Sequence, residues 1–135
     1  MKVTRSQRIL IVSDDAQSGA MRDALAARGF AVTAAPDYES AYRQLLEARF
    51  ALAVIDLLET VAGVEFIKRV QGTTNLTQPL LLVIAEWGTG GAMLALGQSA
   101  DAYEPKPVDA ARLVDSVERL LGTKALSARG EIGAE

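Results

Sequence analysis

The sequence predicts an α/β fold: a doubly wound, five-stranded parallel sheet covered by helices on both faces. Three observations predict it. Ile9 to Val12, Leu52 to Ile55 and Leu80 to Ile84 are short runs of Val, Ile, Leu and Ala without polar alternation, as strands buried on both faces require. Stretches of helical periodicity lie between them, so strand and helix alternate along the chain. The 135 residues are the length of one domain, and 50% of them are hydrophobic, enough for a substantial core.

Each element has its own local reason. The first strand, Ile9 to Val12, leads into a helix with Ala20, Met21, Ala24 and Leu25 on one face, which Gly29 ends as a C-cap. Ala31 to Ala34 is a weaker strand, bounded by Gly29 and Pro36. Asp37 is placed as the N-cap of a second helix that turns Ala41, Leu45 and Ala48 inward. After the strand Leu52 to Ile55, a third helix over about Gly63 to Val70 points Val64, Phe66 and Ile67 at the core. The strand Leu80 to Ile84 is followed by a glycine-rich stretch in which Ala92 to Leu96 are read as a short helix. A fifth strand, Ala102 to Glu104, ends at Pro105, and Asp109 caps a last helix carrying Leu113, Val114, Val117, Leu120 and Leu121 at helical spacing. With right-handed crossovers these units give a flavodoxin-like sheet in strand order 2-1-3-4-5. Residues 1–7 are read as an N-terminal extension, 8–121 as the domain, and 122–135, without apolar periodicity, as a flexible tail or truncated linker.

Composition removes several classes of function. With 14 Lys plus Arg against 17 Asp plus Glu, a net charge of -3 and no basic run, direct nucleic-acid binding is not expected. The sequence has no cysteine and no histidine, so disulfides, thiolate nucleophiles, Cys/His zinc sites and Ser/His/Asp relays are excluded. The longest apolar runs, such as Leu80 to Ala85, fall far short of the roughly 18 residues that cross a bilayer. No secretory leader is visible, and a cytoplasmic setting without a membrane partner is expected.

In an open parallel sheet, ligands sit beyond the carboxyl ends of the strands. There the first strand ends in Ser13-Asp14-Asp15, the third in Asp56 and the fifth in Pro105-Lys106-Pro107. In this topology the three carboxylates and the ammonium converge on one rim, and the carboxylates coexist cheaply only with a cation. Mg²⁺ suits an oxygen-only donor set. Asp56 could then attack a phosphoryl group, with the metal and Lys106 offsetting charge on the transferred oxygens. Plainer roles are available as well: Asp14 and Asp15 as caps of the following helix, Lys106 as a solvated loop cation, Tyr103 as a half-buried edge residue. Gly88-Thr89-Gly90-Gly91 lacks the Lys-Ser/Thr pair of a phosphate cradle and reads as a loop.

Over about residues 8 to 121 the chain resembles the response-regulator receiver domains of two-component signalling. The motifs are Asp14-Asp15 after Ile9-Leu10-Ile11-Val12, Asp56 after Ala53-Val54-Ile55, and Lys106-Pro107 after Asp101-Ala102-Tyr103. The resemblance implies Asp14, Asp15, Asp56 and the carbonyl of Leu58 as Mg²⁺ ligands, Asp56 as the phosphoryl acceptor and Lys106 as the phosphoryl contact. It implies a histidine kinase or phosphotransfer protein as donor, an output protein of unknown identity, and a signalling module rather than an enzyme. Ile84 and Tyr103 fall at its switch positions. Ile84 stands where the family carries a hydroxyl, and its bulk is expected to resist an inward turn of Tyr103. Ser13 stands where the family places its first acid, and the loop Leu57-Leu58-Glu59-Thr60 lacks the usual proline, with Gly63 one residue early. These departures keep open a pseudo-receiver that signals by protein contact without phosphorylation. A phosphatase on the same fold would need an insertion to form a substrate pocket, and none is visible.

Overall fold

A computed structural model describes residues 7–13, 18–56, 60–86, 100–106 and 109–133. In chain order the elements are β1 Arg8–Val12, α1 Ser18–Ala27, β2 Ala31–Ala35, α2 Tyr38–Glu47, β3 Leu52–Asp56, α3 Thr60–Gln71, β4 Leu80–Glu86, β5 Ala102–Lys106 and α4 Ala110–Gly133. The strands form one parallel sheet in the order β2-β1-β3-β4-β5, as expected from the sequence.

The apolar runs build two cores because successive side chains of a strand leave opposite faces. On one face Leu10, Val12, Ala53, Ile55, Leu81 and Val83 pack beneath Ala41 and Leu45 of α2 and Phe66, Ile67 and Val70 of α3. On the other, Ile9, Ile11, Leu52, Val54, Leu82 and Ile84 pack beneath Met21 and Leu25 of α1 and Leu113, Val114 and Val117 of α4. Each Val, Leu, Ile, Phe or Met side chain among them, fully buried, contributes about 1.5–3 kcal/mol. The helices are also joined to one another. Tyr38 stacks on Phe66 at 4.9 Å, and Arg69 of α3 lies 3.8 Å above the Tyr42 ring. Arg28, just past α1, reaches both carboxylate oxygens of Glu118 on α4 at 2.9 Å.

The element ends follow local chemistry. Gly29, at φ 94°, closes α1: its N–H bonds the carbonyl of Ala26 at 2.9 Å, and that of Phe30 bonds Leu25 at 3.2 Å. This 6→1 and 5→2 pair needs a left-handed residue, which glycine supplies without a Cβ penalty. Asp37 caps α2, its Oδ1 accepting from the Ser40 N–H at 2.7 Å. Asp109 caps α4 through the Arg112 N–H at 2.7 Å. At the start of β5, Asp101 accepts from the Leu81 N–H at 2.7 Å and returns its own N–H to the Leu81 carbonyl at 2.8 Å, pinning β5 to β4.

Two boundaries differ from the sequence expectation. Helix α3 starts at Thr60 rather than near Gly63, and α4 does not break at Gly122 but continues helical in its backbone to Gly133. A single helix-interior glycine costs only about 1 kcal/mol, and Lys124, Ala125, Leu126, Ala128 and Arg129 are helix formers. The expectation of a flexible tail from residue 122 is corrected to that extent. The short helix expected over 92–96 lies outside the described residues.

Candidate functional site: a buried aspartate at the carboxyl rim

Sheet register fixes which side chains meet at the rim. Val12 pairs with Ile55, Asp56 with Ile84, and Ile84 with Glu104. Beyond β1, the Ser13 N–H still bonds the Ala35 carbonyl at 3.0 Å, extending the ladder by one residue. Ser13, Asp56, Ile84 and Glu104 therefore form one row across four strands, on the sheet face that packs against α1 and α4.

Asp56 ends the central strand and is only 4% exposed. A buried carboxylate is costly unless hydrogen-bonded. Ser13, itself buried, donates its hydroxyl to Asp56 Oδ2 at 3.0 Å. On the other side of Asp56 stands Ile84, buried in the apolar core and without a donor. In the backbone register Lys106 ends β5 opposite Glu86. Asp14, Asp15 and Leu58 lie outside the described residues.

The donors that can be described at this rim, the Asp56 carboxylate and the Ser13 hydroxyl, are oxygens, the donor type a hard cation such as Mg²⁺ takes. Among the described residues no group of three His, Cys, Asp or Glu side chains gathers into a metal cluster. The chemistry of Asp56 and Ser13 thus fits a hard cation such as Mg²⁺.

Tyr103 corrects one expectation. It pairs with Val83 and is half-buried against the cluster beneath α2 and α3, whereas Ile84 packs on the opposite face. Adjacent positions in β4 point to opposite faces, so Ile84 and Tyr103 do not pack on the same side of the sheet as the sequence suggested. Both remain at the rim's edge, but on different sides of the sheet.

Sequence reasoning missed a second polar cluster at the end of this row. Glu104, 7% exposed, forms an ion pair with Arg112 at 3.0 Å and a hydrogen bond from the Ser116 hydroxyl. Arg119 donates in turn to Ser116 Oγ at 3.2 Å. Arg112, Ser116 and Arg119 recur at i, i+4 and i+7 on α4, so a polar stripe beside the apolar one was the available signal. The cluster ties the edge strand to the last helix.

No family model matches the chain. It is 32% identical over 114 residues to the transcriptional regulatory protein CseB of Streptomyces coelicolor, covering 84% of this chain and 48% of that protein. The chain thus spans about half the length of the curated relatives it matches. A response-regulator signal receiver domain from Bermanella marisrubri superimposes with a TM-score of 0.74 at 28% identity, covering 87% of this chain and 99% of that one. A CheY-like response-regulator receiver domain protein from Methanospirillum hungatei gives a TM-score of 0.79 at 23% identity, over 91% of this chain and 99% of the other.

Proposed function

This chain is a receiver domain of the two-component response-regulator family, and on that premise we propose that it accepts a phosphoryl group on Asp56 and passes the signal on by protein contact. The observation that carries the proposal is Asp56 itself: a carboxylate at the carboxyl end of the central strand, buried yet hydrogen-bonded, at the rim where this topology binds ligands. One carboxylate oxygen attacks phosphorus while the bond to the donor's leaving atom breaks, the imidazole nitrogen of a phosphohistidine or the acyl oxygen of acetyl phosphate, and that atom keeps the electron pair. Lys106 neutralises charge on the transferred oxygens. Mg²⁺ held by Asp14, Asp15, Asp56 and the Leu58 carbonyl would supply further charge neutralisation there.

The donor is a histidine kinase or phosphotransfer protein, the receiver body is residues 8–121, and the output is a second protein rather than nucleic acid. The domain acts as a signalling module, not as an enzyme with its own substrate. No described helix is long and apolar enough to cross a membrane. We place this exchange in the cytoplasm. Incubation with acetyl phosphate and Mg²⁺, read by intact mass, should add one phosphoryl group to the wild type and none to Asp56→Asn, because an amide is not a nucleophile. Lys106→Ala should slow the addition. A wild type that stays unmodified would overturn the proposal in favour of a pseudo-receiver.

A further inference from the structure

We infer that Ser13 limits the lifetime of the phosphoryl group on Asp56, a role that rests on the reading above and names a regulation of that same site. The Ser13 hydroxyl donates to Asp56 Oδ2 at 3.0 Å. Both side chains are buried, and the Ser13 backbone is held by the Ala35 carbonyl, so the hydroxyl is fixed by the sheet rather than by a loop. Ile84 on the other side of Asp56 gives no competing donor.

This bond changes strength during the reaction. Before transfer the acceptor is a carboxylate, and the hydrogen bond is charge-assisted. Transfer joins Asp56 Oδ1 to phosphorus, the acetate of acetyl phosphate leaves with the bonding pair, and Oδ2 becomes the uncharged carbonyl oxygen of an acyl phosphate whose negative charge lies on the phosphoryl oxygens. Ser13 then donates to an uncharged acceptor, a bond about half as strong. Hydrolysis reverses the change: a water oxygen adds to phosphorus, the Oδ1–phosphorus bond breaks with its pair returning to the carboxylate, and the water's protons pass to phosphate and solvent. The returning charge spreads onto Oδ2, beneath the Ser13 hydroxyl. Ser13 thus favours departure of the phosphoryl group and acts as a positioning residue through Asp56.

The test loads the full chain with acetyl phosphate and Mg²⁺, removes the donor by desalting at constant Mg²⁺, and follows the phosphorylated mass with time. Ser13→Ala should lengthen the half-life roughly three- to tenfold, the difference between a charge-assisted and a neutral hydrogen bond. Ser13→Thr, which keeps a hydroxyl on a strand-compatible side chain, should return it to near the wild-type value. Ser13→Cys, nearly isosteric but a weak donor, should lengthen it and serves if the alanine variant does not fold. Equal or shorter half-lives in Ser13→Ala and Ser13→Cys overturn the inference while leaving phosphorylation of Asp56 standing. A wild type that takes no phosphoryl group overturns the reading beneath it, and the inference with it.

Discussion

Asp56 and Ile84 face each other across β3 and β4, and their contrast sets the character of the site. The carboxylate gains a donor from Ser13 on one side and only methyl groups from Ile84 on the other. A ligand or modification shifts a two-state equilibrium only by the interactions that differ between the states, and a hydrogen bond to a charged group is worth about 1.5–3 kcal/mol. Ile84→Thr places a hydroxyl beside the Asp56 phosphoryl group. It should enlarge the phosphorylation-dependent change in amide exchange at β5, residues 102–106, at a cost of about 1–3 kcal/mol in stability for the lost methyl and the buried hydroxyl. Equal exchange differences in wild type and variant would show that the site reaches the surface without this position. Asp56, Ile84 and the rim were legible in the sequence because each closes a recognisable apolar run. The partnership of Ser13 was not, since a serine after a strand carries no hydropathic mark.

At the scale of single elements, the caps were the most legible features because their chemistry is local. Asp37 bonds Ser40 as its place in the sequence required, and that backbone hydrogen bond, with the Ser40 hydroxyl and Arg43 helping, holds its carboxyl below the ordinary value of 3.8. A lowered folded pKa means the cap's contribution is complete above that ordinary value and fades as the pH falls through the lower one. Thermal unfolding of Asp37→Asn, which keeps the acceptor but not the charge, should therefore differ most in its pH dependence below about pH 4 and little at neutrality; identical profiles would remove Asp37 from the acid response. The Glu104 cluster is the element-scale feature that sequence did not reveal, because its partners lie on another element and an acid in a short strand reads as solvated. Glu104→Ala should destabilise the fold by about 1–3 kcal/mol by taking the acceptor from the buried Ser116 hydroxyl, whereas Arg112→Ala, lost from a side chain 63% exposed, should cost less than about 1 kcal/mol. Denaturation midpoints of the two variants check the order, and a larger loss in Arg112→Ala would contradict it. The length of α4 was misjudged for an energetic reason: Gly122 disfavours helix but does not forbid it.

Across the whole molecule, topology was legible because three strands are apolar on both faces and only a helix-covered parallel sheet buries them. The same property hid the relation between Ile84 and Tyr103. When both faces of a strand are apolar, no alternation marks which residue faces which layer, and the assignment waits on register. That register gathers the row Ser13, Asp56, Ile84 and Glu104 beneath α1 and α4, running from the proposed phosphoryl site to the edge strand and its helix. The account turns on Asp56 as the residue that carries the phosphoryl group. Proteolysis and fragmentation of the protein loaded with acetyl phosphate and Mg²⁺ should place a single phosphoryl group on the peptide containing Asp56; a group found on Asp14, Asp15 or any other residue instead would contradict it.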